Sequence, residues 1–75
     1  MTEETRSLSL AEALPLEIER VKKIIKIYKD PILKGAGRLA STLMEIDVSK
    51  AQEAIIEQDT VAMIRAYNEL KNYEV

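Results

Sequence analysis

The sequence predicts an all-α protein: a three-helix protomer containing a helical hairpin, assembled as a homo-oligomer. Three observations predict it. Apolar residues at 14, 18, 21, 25, 28 and 32 recur at alternating spacings of four and three, a helical period. The apolar content is aliphatic, with eight Leu, nine Ile, four Val, three Met and eight Ala and no Trp or Phe, and no alternating strand pattern runs through it. The chain is also short. At 75 residues with no cysteine, it buries only roughly 60 % of its unfolded surface and has no disulfide to reinforce it. Small unstapled domains commonly complete their core by oligomerising. The expected organisation is a flexible N-terminus over 1–8 and a single helical domain over 9–75.

The elements follow in order. Ser9 and Glu12 have capping-box spacing, so a short helical turn can begin there. Pro15 is the stronger start signal, because a first-turn proline gives up an N–H that has no partner. The first helix is therefore expected over about Pro15 to Lys29, with Leu14, Ile18, Val21, Ile25 and Tyr28 as its seam. Ile24 and Ile27 lie outside that seam and widen the apolar face. They either bury the helix on two sides within one protomer or, as the short chain favours, present a face to another subunit. Asp30-Pro31 ends the helix, since the residue before proline leaves the helical region. Ile32 and Leu33 are expected to anchor the connection to the core, and Gly35 and Gly37 mark a loop. The second helix is expected from Ala36 or Gly37 to Glu57, burying Leu39, Leu43, Ile46, Ala51, Ala54 and Ile55. Asp59 or Thr60 caps the third, which runs to about Asn72 with Met63, Ile64, Tyr67 and Leu70 inward and Val61 in support.

Charge supplies the functional clue. Seven of the eleven basic residues (Arg20, Lys22, Lys23, Lys26, Lys29, Lys34 and Arg38) lie within one segment, interrupted by a single acid, Asp30. The remainder holds four bases and twelve acids, so an acidic protein carries one cationic region, a field that attracts anions. Lys22, Lys26 and Lys29 form one stripe, explained as a solvated face, as pairing with acids on the second and third helices, or as a phosphate site. Lys34-Gly35-Ala36-Gly37-Arg38 leads into a helix N-terminus, where free N–H groups and the helix dipole favour phosphate. Arg38 can grip a phosphate with two donors, and Ser41 and Thr42 offer hydroxyls. The segment is neither a Walker loop nor a Rossmann fingerprint. Its small residues, Ala36, Gly37, Ala40 and Ser41, serve either close helix packing or approach of a ligand to the backbone. Tyr28, at the end of the stripe, either packs in the core or stacks on a nucleobase. The candidate ligand-binding set is thus Lys22, Lys26, Tyr28, Lys29, Lys34, Gly35, Gly37, Arg38, Ser41 and Thr42.

Other chemistries find little support. The chain has no histidine, the usual general base and zinc ligand, and Glu53 and Glu57 share a helix face without the Glu-x-x-His partners of a bundle metal site. No catalytic residue, metal or cofactor is expected, and the protein is read as a non-enzyme. The second helix has no base between Arg38 and Lys50, and the net charge is −2, which disfavours nucleic acid. No apolar run is long enough to span a membrane, and no secretory signal pattern opens the chain, so a cytoplasmic location in a host cell is expected.

Two stretches, Ala13-Leu14-Pro15-Leu16-Glu17-Ile18-Glu19-Arg20-Val21 and Asp59-Thr60-Val61-Ala62-Met63-Ile64-Arg65-Ala66-Tyr67-Asn68-Glu69-Leu70, resemble a family of small helical proteins encoded by phages and prophages. The resemblance covers most of residues 12–73, mainly as core patterning, and carries no binding or catalytic residue over. It implies a phage accessory setting, in which small proteins commonly block host defence by binding. With the charge pattern, the expected function is counter-defence by sequestering a phosphate-bearing small molecule, such as a cyclic nucleotide immune signal. The alternative is a helical inhibitor or adaptor that docks on a host protein through Ile24 and Ile27. A third possibility is a structural phage component with no ligand.

Overall fold

The computed structural model describes residues 9–74. The expectation of a flexible segment over 1–8 lies outside them. Three helices, α1 (Leu10–Tyr28), α2 (Arg38–Glu57) and α3 (Thr60–Lys71), are joined by a 3-10 turn at Pro31–Leu33 and by a tight loop at 58–59. Each helix packs against the other two. Among the described residues there is no strand, and no helix is long and apolar enough to cross a membrane.

The start of α1 departs from expectation. The helix begins at the Ser9 capping box, in which the Ser9 hydroxyl accepts from the Glu12 N–H (3.3 Å) and the Glu12 carboxylate accepts from the Ser9 N–H (3.1 Å). Pro15 lies inside the helix, more than a turn past its start. Reciprocal satisfaction of two orphan donors outweighs the one backbone bond that the proline cannot donate. The exposed position of Pro15 keeps its ring out of the core.

The core gathers Leu14, Ile18, Val21, Ile24 and Ile25 of α1, Met44, Val48 and Ala51 of α2, and Ala66 and Leu70 of α3. The α1 seam is as expected through Ile25, and Tyr28 packs partly buried against the cluster. Ile24 is 4 % exposed, so it belongs to the protomer's own core, and only Ile27 faces outward. Ile32, expected as an anchor, is 82 % exposed, because the 3-10 turn aims it away from the bundle.

The register of α2 is the largest correction. Its buried face is Ser41, Met44, Val48, Ala51 and Ala54, whereas Leu39, Leu43 and Ile46 point outward. Small side chains let the three axes come close, and a leucine at position 41 or 51 would hold them apart. The same preference acts in α3, which buries Ala66 and leaves Val61 and Ile64 outside. Met63 and Tyr67 are partly buried, and Leu70 is fully buried.

Local hydrogen bonds hold both sides of the hairpin loop. Gln58 takes a left-handed conformation (φ 56°), and the Asp59 N–H reaches back to the Ala54 carbonyl at 3.1 Å, which closes α2. The Asp59 carboxylate then accepts from the Ala62 N–H at 3.1 Å and opens α3, which decides between the two caps, Asp59 and Thr60, that the sequence offers.

Candidate functional site

The ten candidate residues come from the end of α1, the connecting turn and the first turns of α2. The turn is built by four local devices. The Asp30 carboxylate accepts from the Ile32 N–H at 2.9 Å, Pro31 fixes the first 3-10 residue, and Lys34 (φ 52°) and Gly35 (φ 84°) are both left-handed. Two successive left-handed residues reverse the chain so that α2 starts beside the end of α1. Gly37 allows that approach: a methyl group there would sit 3.0 Å from the Tyr28 Cβ and still closer to the Tyr28 carbonyl oxygen. Its φ of −93° is open to any residue, so the requirement for glycine is steric.

This arrangement leaves a cleft of about 470 Å³ lined by Tyr28, Lys29, Gly35, Arg38, Ser41 and Thr42, together with Asp30, Pro31 and Glu45. Six of the ten candidates therefore share one cavity wall. The other four do not line it. Lys22 borders a separate groove with Ile25, Glu45, Val48, Ser49 and Gln52, and it pairs with Glu19 at 3.5 Å. Lys26 and Lys34 are exposed and line neither hollow, and Gly37 packs on Tyr28.

The electrostatics are more balanced than the sequence suggests. Lys29 bonds the Glu45 carboxylate across the α1–α2 interface, and Asp30 also faces the cleft. Two cations and two acids therefore share the lining. Pairing with an acid of another helix is seen for Lys29, through Glu45, whereas Lys22 pairs within its own helix with Glu19. Arg38 has no ion-pair partner among the described residues and is exposed, so its five donors are available at the cleft rim. The Ser41 hydroxyl is not available: the residue is 2 % exposed, and its Oγ donates to the Arg38 carbonyl at 3.0 Å. Thr42 is exposed and keeps its hydroxyl. Gly37 caps α2 without any side-chain acceptor, so the helix N-terminus keeps its dipole unneutralised at the cleft wall.

Tyr28 serves both the core and the cleft. Its ring packs on the core cluster, and its hydroxyl donates to the Glu74 carbonyl at 3.3 Å. This ties the chain segment after α3 to the cleft margin. The same segment is held by two further contacts that have no sign in the sequence. The Tyr73 hydroxyl donates to Asp47 at 2.5 Å, and the Arg20 guanidinium donates to the Tyr73 carbonyl at 2.8 Å. Arg20, counted by sequence with the basic segment, is therefore a structural clamp. Long-range contacts of this kind have no local signature. Among the described residues no group of three or more carboxylates is placed to hold a metal ion.

Comparison with known protein families, with curated proteins and with solved structures finds no match for this chain.

Proposed function

We propose that this protein is a non-catalytic binder of phage-accessory type, which captures a phosphate-bearing small molecule in the cleft between the end of α1 and the start of α2. The observation that carries this reading is the convergence of Tyr28, Lys29, Gly35, Arg38 and Thr42 on one cleft at the uncapped N-terminus of α2. Arg38 offers a planar pair of donors, Lys29 a second cation once the ligand competes with Glu45, and Tyr28 a ring edge for a base. The near-neutral lining suits a compact anion that brings its own hydrogen-bonding groups, and a cyclic nucleotide signal fits that description. Sequestration leaves such a ligand chemically intact, in keeping with the absence of histidine and cysteine from the chain. In this reading the protein acts in the host cytoplasm as a homo-oligomer, with sites near subunit boundaries.

Calorimetric titration of the folded protein with a panel of cyclic di- and trinucleotides tests the proposal. Binding that Arg38→Glu abolishes supports it, and the absence of heat with every member overturns it.

A second reading, docking on a host protein, is favoured by one observation: Leu39, Leu43 and Ile46 are 72 %, 49 % and 47 % exposed along one side of α2. Ile24 is buried and cannot contribute, so the docking face shifts from α1 to α2. In a pull-down from host lysate, Leu39→Glu separates the readings. Loss of a specific host partner with this variant, while nucleotide binding is unaffected, assigns the activity to docking.

A further inference from the structure

We propose that α2 is a self-association face, which pairs antiparallel with α2 of a second copy. The inference rests on the oligomeric assembly proposed above and names its face and orientation. The first observation is apolar. Leu39, Ile46 and Ile56 are 72 %, 47 % and 81 % exposed on the outer side of a helix whose inner side is Ser41, Met44, Val48, Ala51 and Ala54. Ile46 and Ile56 border a shallow groove of about 710 Å³ that runs along this outer side.

The second observation is electrostatic and independent of the first. The charges of α2 run against its own dipole. Arg38 stands at the positive N-terminal end and Glu57 at the negative C-terminal end, with no acid in the first turn and no base in the last. Both residues are exposed, and neither forms an ion pair among the described residues. Within one protomer this ordering is unfavourable. An antiparallel second copy reverses the sign: each Arg38 then meets the partner's Glu57, and the two helix dipoles oppose one another.

The same register brings the apolar residues together. With Arg38 opposite the partner's Glu57, Leu39 falls opposite the partner's Ile56, at both ends by symmetry. The two-fold axis passes between positions 47 and 48. It leaves the two Ile46 side chains offset by about 4.5 Å along the helices, within contact. One register thus satisfies both the charges and the apolar residues, which is the charge complementarity expected of an isologous interface.

The test is sedimentation of ligand-free protein, so its outcome is independent of nucleotide binding. Ile46→Arg is expected to yield monomer with unchanged helical circular dichroism. Arg38→Glu and Glu57→Arg each improve the match of α2 to its own dipole, so each is expected to raise the stability of the protomer while weakening association about ten-fold. The double variant R38E/E57R restores the cross-pair and is expected to recover association. An assembly that survives Ile46→Arg, or a double variant no tighter than the singles, overturns the α2 pairing and leaves oligomerisation by another face standing. A wild-type chain that sediments only as monomer overturns both.

Discussion

Arg20 on α1 donates from one guanidinium nitrogen to the Leu70 carbonyl at 2.9 Å, so that the first helix caps the C-terminal end of the third. A second nitrogen serves the Tyr73 carbonyl, and Nε bonds Glu17 at 3.0 Å. The cation sits at the negative end of the α3 dipole, where it adds a charged donor to the Leu70 carbonyl that also accepts from the Tyr73 N–H.

Arg20→Ala should therefore cost about 1.5–3 kcal/mol, since it removes the charged hydrogen bonds to the Leu70 and Tyr73 carbonyls and leaves Leu70 only its backbone donor, the Tyr73 N–H at 3.1 Å. Arg20→Lys should recover only part of this, because a single ammonium lacks the rigid fork. Denaturant unfolding of the three proteins checks the order wild type, Lys, Ala.

Gly37→Ala should destabilise by about 1–3 kcal/mol through overpacking against the Tyr28 backbone. Gly35→Ala meets only open space and the tip of Arg38, yet its φ of +84° makes alanine cost about 1 kcal/mol. The two should differ in kind. Gly37→Ala also moves the start of α2, which widens the cleft and weakens any ligand bound there, and titration beside thermal unfolding reads both effects.

Burial and the adjacent Asp47 carboxylate push the Tyr73 hydroxyl from 10.0 up to about 12. Because the folded value lies above the unfolded one, the stabilising contribution is complete below pH 10 and is lost as the pH rises to 12. Water at the partly exposed ring screens this to on the order of 1 kcal/mol. Stability measured from pH 9 to 12 should fall across that window in the wild type, and the fall should be smaller in Tyr73→Phe.

Pro15→Ala should stabilise the protein by about 1–3 kcal/mol, since it restores a donor to the Ala11 carbonyl inside α1 at an exposed position. The check is the thermal midpoint together with helical circular dichroism. A midpoint that falls would mean that the proline does more for the unfolded chain, by restricting it, than it costs the helix.

Much of the candidate cleft was legible in the sequence. Proline, glycine and charge fix local chemistry, and local chemistry alone brings the end of α1 to the start of α2. Charge and the glycine turn nominated Tyr28, Lys29, Gly35, Arg38 and Thr42, and the structure brings these five to one cleft within the protomer. The status of Ser41 was not legible, because a serine on a helix reads the same whether it faces a ligand or the core. Nor were the pairing of Lys29 with Glu45 and the clamp of Arg20 on Leu70, because both join residues far apart in the chain.

By itself the sequence determined the helical class, the breaks at Asp30-Pro31 and at 58–60, and the α1 seam through Ile25. Each rests on backbone geometry or period within a few residues. Only the tertiary structure decided which side of α2 turns inward. Both sides carry apolar residues, and the one bearing leucine and isoleucine has the stronger hydrophobic pattern. Close approach of three short helices instead favours Ser41, Ala51 and Ala54 at the contact, since small side chains let the backbones near one another. The larger residues are left on the surface, where their burial depends on a second molecule.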